Sequence, residues 1–310
     1  MSRCRSIHGA APAEVKDATM QIFMDGIFVG SIYALFAIGF TLVFGILDRL
    51  NLAHAAVFSA GALVGIELVT RFGVSIWLAI PLVLIVGAVL GILIERIAFR
   101  PLAGRHDAHF AGLISSIAFG AILLSLLQAL YGADTRRFPA DAFPNARFAF
   151  LGATVSLLQL VILIISVTLM VVLTWLVAKS KLGRGMRTIA ENPHAASVLG
   201  LNVGRISSTT FAISSALGAV AGVLFTLNVN SAQLGMGHAV ELKALAVIVM
   251  GGMGSLPGAL IGGLILGLSE VYAVNTVGSS WRDMVAFGLL FLILILRPQG
   301  LFGARKTREV

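Results

Sequence analysis

Charge is scarce in this 310-residue chain: 12% of its residues are Asp, Glu, Lys or Arg, against about 25% in ordinary soluble domains. That is too little to cover a water-facing surface. With 58% hydrophobic residues and a mean hydropathy of +0.98, the composition is that of an integral membrane protein. Cysteine is nearly absent. Cys4 alone excludes an internal disulfide and a Cys-based metal site, and says nothing about compartment. There is no G-x-x-x-x-G-K-[ST], so the chain does not hold ATP through a P-loop. His-Glu-x-x-His, paired Cys and Gly-x-Ser-x-Gly are also missing. The six histidines are scattered, and His106 and His109 share a basic loop with Asp107 as the one nearby carboxylate. No catalytic residue, metal site, bound cofactor or enzyme activity is expected. The net charge of +8 comes without an interleaved aromatic and basic face, so it does not point to nucleic acid.

What is present is apolar and helical. A helix needs about 20 apolar residues to cross the hydrocarbon. Candidate spans lie near 22–47, 54–70, 75–98, 110–131, 155–178, 207–228, 242–272 and 283–297. The fold expected is an all-α, polytopic transmembrane helical bundle of about eight spans. Residues 1–20 read as a polar tail without the apolar core of a signal peptide. Residues 21–303 read as the transmembrane domain, and 304–310 as a basic tail. The segment 242–272 is too long for one crossing and is interrupted by Gly251-Gly252-Met253-Gly254-Ser255-Leu256-Pro257-Gly258. Glycine is costly in a helix, and Pro257 removes a donor. A broken pair of helices or a re-entrant hairpin bent at 251–258 is expected, and such backbone is tolerated only under protein cover or beside a watery cavity.

Connector charge sets direction. The connectors after the first, third and fifth spans, with the C-terminal tail, hold thirteen Lys and Arg, and the opposite connectors hold five. The richer side is expected to be cytoplasmic, as is the C-terminus. This places the N-terminal tail outside unless 54–70 fails to cross fully, and both readings stay open. Few charges fall within spans: Glu67, Glu95, Lys243 and Glu270. Glu95 beside Arg96 reads as an interfacial pair, and Glu67 and Glu270 as groups near outer helix ends. They form no ladder of acids for a proton relay. Glycines recur at four-residue spacing (Gly26/Gly30, Gly61/Gly65, Gly87/Gly91, Gly218/Gly222, Gly258/Gly262, Gly263/Gly267), as close helix packing in lipid requires.

The connector 179–206 is the most specific feature. Asn192 suits an N-cap and Pro193 the first helical position. Gly200 suits a left-handed stop. A helix this short is marginal without a docking partner. Ala195 and Ala196 suit insertion into a protein cleft, while a helix lying on the lipid surface accounts for the basic charge alone.

Several stretches together resemble a known family. Ala195-Ala196-x-x-x-Gly200 is similar to the cytoplasmic loop by which permeases of ABC importers engage their ATPases. Gly30-Ser31-Ile32-Tyr33-Ala34-Leu35, Asn51-Leu52-Ala53-His54, the loop from Arg187 to Gly200, Lys243-Ala244-Leu245-Ala246, the 251–259 stretch and Arg297-Pro298-Gln299-Gly300-Leu301-Phe302 resemble the branched-chain amino-acid permeases of the high-affinity leucine/isoleucine/valine type, over residues 20–303. Two departures stand out. Ala55-Ala56 replace the Gly-Glu that usually follows the Asn-x-Ala-His element, and the Leu-Pro pair that ends the fuller loop pattern is absent.

The resemblance implies a multi-pass subunit of a bacterial inner membrane, moving cargo by alternating access. Its partners would be a second homologous permease chain, two cytoplasmic P-loop ATPases that hydrolyse the ATP, and an extracytoplasmic solute-binding protein, all within membrane lipid. The ATPase-coupling loop would use Arg187, Glu191, Asn192, Pro193, Ala195, Ala196 and Gly200. The candidate path comprises Asn51, His54, Gly251, Gly252, Gly254, Ser255 and Pro257, since a broken span exposes backbone groups to a zwitterion. For His54 a histidine satisfied at the membrane boundary, and for the bend plain helix packing, are the competing readings. Urea or a short amide is the alternative cargo, and an ion-coupled transporter or channel acting alone the alternative mechanism.

Overall fold

The computed structural model describes residues 12–103, 108–139, 143, 146–150 and 153–303. The stretch before residue 12, His106 in the 104–107 loop and the basic tail 304–310 lie outside the described residues. The chain runs α1 (Pro12–Leu47), α2 (His54–Thr70), α3 (Ile76–Ile94), α4 (Ala108–Tyr131), β1 (Arg147–Phe150), β2 (Ala153–Ser156), α5 (Leu157–Lys179), α6 (Lys181–Glu191), α7 (Pro193–Val198), α8 (Val203–Val229), α9 (Met236–Gly251), α10 (Leu256–Thr276) and α11 (Arg282–Leu296). Helix α1 starts at Pro12, so residues 12–20, assigned from sequence to a polar tail, continue the first span without a break. The short antiparallel hairpin β1–β2 was not expected of an all-α chain.

Among the described residues, seven helical stretches are long and apolar enough to cross a membrane: Thr19–Leu47, Ile76–Leu102, Ala108–Tyr131, Leu157–Lys179, Val203–Val229, Leu256–Thr276 and Ser279–Leu296. The expected 242–272 segment is two helices, α9 and α10, separated by 252–255. Gly252 and Gly254 both hold positive φ there (101° and 85°), a conformation that costs other residues dearly. Ser255 then caps α10 by accepting from the Gly258 N–H.

Helices α1 and α8 are buried over most of their length, whereas α3, α4 and α5 show a broad apolar face and α11 is almost wholly exposed. In lipid no hydrophobic force drives helix against helix, so close approach must supply the attraction. The glycine pairs do this. Gly26, Gly30, Gly263 and Gly267 lie between α1 and α10. Gly61 and Gly65 meet α8 at Ala219 and Val223. Gly87 and Gly91 meet α8 between Phe211 and Ala219, Gly218 and Gly222 meet α2, and Gly258 and Gly262 close the α9–α10 hairpin. A methyl group at Gly222 would run into the Phe58 carbonyl, and one at Gly61 into that of Ala219.

Two faces follow from these contacts. One gathers the end of α1, the continuation of α3, the helices α6 and α7, the start of α8 and the 252–255 bend. The C-terminal stretch joins it: the N–H groups of Leu301 and Phe302 donate to the carbonyls of Met250 and Gly251 (2.7 and 2.9 Å). On the opposite face Glu67, near the end of α2, pairs with Arg136 (2.8 Å) and Arg71 (3.2 Å). Glu95 differs from expectation. It is buried and bonded to Arg100 (3.2 Å) and the Ser208 hydroxyl (2.7 Å), while Arg96 is exposed. A π-helical turn at Glu95–Phe99 follows α3 and lies against α8.

Helix α2 starts inside the bundle. It does not begin at the face where α1 ends. His54 packs between Gly39 of α1 and Gly218 of α8. Gly39 lies eight residues before the end of α1, about 12 Å along the helix axis. The irregular stretch 48–53 therefore climbs into the bundle, and α2 covers the remainder.

Candidate functional site

The connector after α5 forms two helices. Ser180 caps α6 by accepting from the Gly183 N–H (2.9 Å). Arg187 donates from α6 to the carbonyls of Val177 and Ala178 at the end of α5, where a cation complements the helix dipole. Glu191 ends α6 and is exposed. Asn192 accepts from the N–H groups of His194 and Ala195 (3.0 Å each), and Pro193 opens α7. Gly200 ends the motif with φ of 81°. Sequence spacing led to the Asn192 cap, to Pro193 at the start of α7 and to the Gly200 stop; the Ser180 cap and the Arg187 contacts were not anticipated.

The display of side chains differs from what the paired alanines suggested. Ala195 is exposed, but Ala196 is fully buried within the chain itself, so the two do not enter a partner's cleft together. The outward apolar groups are Val198 and Leu199, 77% and 75% exposed. Sequence reading missed them, although two large apolar residues at the end of an otherwise polar, capped turn were the available signal.

A cavity of about 800 Å³ lies between this loop and the bend. Ile189, Ala190 and Pro193 line one side, Gly254 and Ser255 another, and Glu95, Arg49 and Arg100 supply charge. Burial depresses the pKa of Arg49, and Glu95 opposes that shift. The bend is fixed by the C-terminal stretch, since Gly252 sits against Gly300 and Gly303. Gly251 packs on Gly258, and Pro257 stands in the first turn of α10.

Asn51 and His54 occupy a different place. His54 is completely buried, its ring 4.6 Å from that of Phe36 and 5.8 Å from that of Phe40. The Phe36 backbone carbonyl lies beside the ring, but neither ring nitrogen makes a hydrogen bond of good geometry among the described residues. Asn51 is buried with both side-chain polar atoms unpartnered, as are the hydroxyls of Thr41 and Ser215. Helix α2 has no side-chain cap, and its Ala55 N–H faces Glu241 of α9. Buried polar atoms in folded proteins nearly always have partners, so Asn51 and His54 stand out within the bundle. The residues grouped from sequence as one path thus fall in two places: the bend lines the cavity, while Asn51 and His54 lie deeper, around the start of α2.

A third constellation joins four helices. Lys243 of α9 pairs with Glu270 of α10 (3.1 Å) and Asp283 of α11 (3.2 Å). Arg282 of α11 pairs with the same Glu270 oxygen (3.0 Å), and the Tyr33 hydroxyl of α1 donates to it (3.1 Å). Glu270 is buried although it lies in the second half of α10, within reach of the exposed start of α11. Pairing across the α9–α10 turn could not be read from spacing along the chain.

Residues 22–294 match the model of the family described as "Branched-chain amino acid transport system / permease component". The chain belongs to this family. The permease is 35% identical over 305 residues to the high-affinity branched-chain amino acid transport system permease protein BraD of Pseudomonas aeruginosa, covering 94% of this chain and 98% of BraD. It is 33% identical over 302 residues to the corresponding protein LivH of Escherichia coli K12, covering 94% and 97%. The ribose import permease protein RbsC of Haemophilus influenzae is 31% identical over 290 residues, covering 89% and 84%. The permease therefore shares about nine-tenths of its length with subunits whose names record more than one class of cargo.

Proposed function

We propose that this permease is the membrane-spanning subunit of an ATP-driven importer for branched-chain amino acids. The end-to-end similarity to BraD and LivH carries the assignment. The face bearing α6, α7, the bend and the C-terminal stretch is cytoplasmic, in line with its excess of Lys and Arg. Two ATPases grip α6 and α7 there, a second permease chain completes the membrane unit, and an extracytoplasmic binding protein delivers cargo to the other face. ATP is hydrolysed by the partner ATPases.

The packing gives the mechanical route. Helix α7 packs against α6 and against the start of α8. Helix α8 then runs the depth of the bundle and meets His54 at Gly218. A push on α7 reaches the unpartnered polar groups through this one stiff rod. Closely packed interfaces switch between discrete arrangements, so the bundle alternates between an outward and an inward packing. The test is uptake by vesicles holding the complete transporter, with labelled leucine, isoleucine and valine set against ribose and urea. Uptake of the three amino acids is expected, and uptake confined to ribose or urea would refute the assignment of cargo.

A further inference from the structure

The charges around Glu270 divide by depth. The side chains of Lys243 and Glu270 are 8% and 2% exposed, whereas those of Arg282 and Asp283 are 48% and 70% exposed. A buried cation and anion are therefore covered from the face opposite the bend by a cation and an anion that are adjacent in sequence. The pairing is crossed: Arg282 sits on Glu270 and Asp283 on Lys243. Neighbouring residues carrying both signs present to the buried pair what an amino-acid zwitterion would present, an ammonium for Glu270 and a carboxylate for Lys243.

Two further observations fit a replaceable cover. Glu270 takes all its contacts on Oε1, from Lys243, Arg282 and Tyr33, and its Oε2 is buried without a partner among the described residues. Arg282 reaches Glu270 through Nε, but an ammonium has three donors and can serve both oxygens. The covering residues lie at the exposed start of α11, joined to α10 by a short connector that turns at Gly278 (φ 116°). Charges inside a membrane protein are costly unless partnered, so Arg282 and Asp283 can leave only when equivalent charges replace them.

We propose that Lys243 and Glu270 form a loading site for the head group of a free α-amino acid, occupied in this structure by Arg282 and Asp283 as internal stand-ins. The cargo carboxylate displaces Asp283 from Lys243, its ammonium displaces Arg282 from Glu270, and Tyr33 holds Glu270 in place. No bond forms or breaks. The inference rests on the amino-acid cargo proposed above.

The test is equilibrium binding of labelled leucine to the purified permease–ATPase complex without the binding protein. The double variant R282Q/D283N removes the cover from exposed positions and keeps the charge balance. Two ion pairs, each with one exposed partner and worth about 0.5 kcal/mol, imply leucine binding tightened about fivefold. E270Q and K243M, which each strip one head-group contact, are expected to weaken binding about a hundredfold. 4-Methylpentanoate and isopentylamine, each lacking one charge of leucine, are expected not to compete. If E270Q or K243M fails to reach the membrane, R282Q/D283N decides alone. A cluster that only clamps helices together predicts unchanged or weaker leucine binding in R282Q/D283N, and that result overturns the inference. Vesicle uptake by the unaltered transporter separates the two claims. If it imports leucine and R282Q/D283N binds no more tightly, the loading site fails while the cargo stands; if it imports no amino acid, both fail.

Discussion

Replacing Val198 and Leu199 by serine tests which surface the ATPases hold. Both side chains are about three-quarters exposed, and neither belongs to the buried core. Full burial of a Val or Leu side chain is worth about 1.5–3 kcal/mol, so covering the exposed three-quarters yields about 1–2 kcal/mol each and about 2–4 kcal/mol together. If docking covers them, the double variant weakens the ATPase complex by about thirtyfold or more. The permease itself keeps its fold, because the residues removed touch little within it. The assay is titration of purified ATPase against the permease in nanodiscs, read as bound fraction and as stimulated ATP turnover. A contrast comes from Ala196→Leu: Ala196 is fully buried, so added bulk there lowers the melting temperature first. ATPase affinity unchanged in V198S/L199S would refute the reasoning.

Three further outcomes are expected. Gly222→Leu drives a side chain into the Phe58 carbonyl and costs about 1–3 kcal/mol or more, seen as a lower thermal midpoint in detergent; an unchanged midpoint would mean that α2 and α8 are less closely packed than described. His54→Phe fills the same aromatic pocket without ring nitrogens, so folding is kept and import falls at least about tenfold if the unpartnered nitrogens serve the path; normal import would reduce His54 to a space-filler. Ser197→Cys in a Cys4→Ser background is expected to react with an impermeant thiol reagent from the cytoplasmic side only, and labelling from the other side would reverse the proposed orientation.

Much of the fold was legible because membrane physics leaves few options. Long apolar runs, the glycine spacing and the Gly-rich break at 251–258 each reflect a local rule, and each reappears in the structure. The Asn192 cap and the Gly200 stop were legible for the same reason. What could not be read depends on depth and on contacts distant along the chain. Nothing in 48–53 shows that it rises into the bundle, so the start of α2 beside Gly218 was hidden. Glu95 sits next to Arg96 in sequence, yet the turn after α3 directs it to Arg100 and Ser208. Ala195 and Ala196 look equivalent until the helix phase buries one of them. Lys243 and Glu270 are 27 residues apart, and only the folded hairpin makes them partners.

The central claim is that this permease moves cargo only when a separate ATPase drives it. Leucine uptake into liposomes, compared between the permease pair alone and the pair with ATPases, binding protein and ATP, tests this most directly. Uptake is expected only in the complete, ATP-supplied system. Leucine accumulation by the permease chains alone would contradict the account.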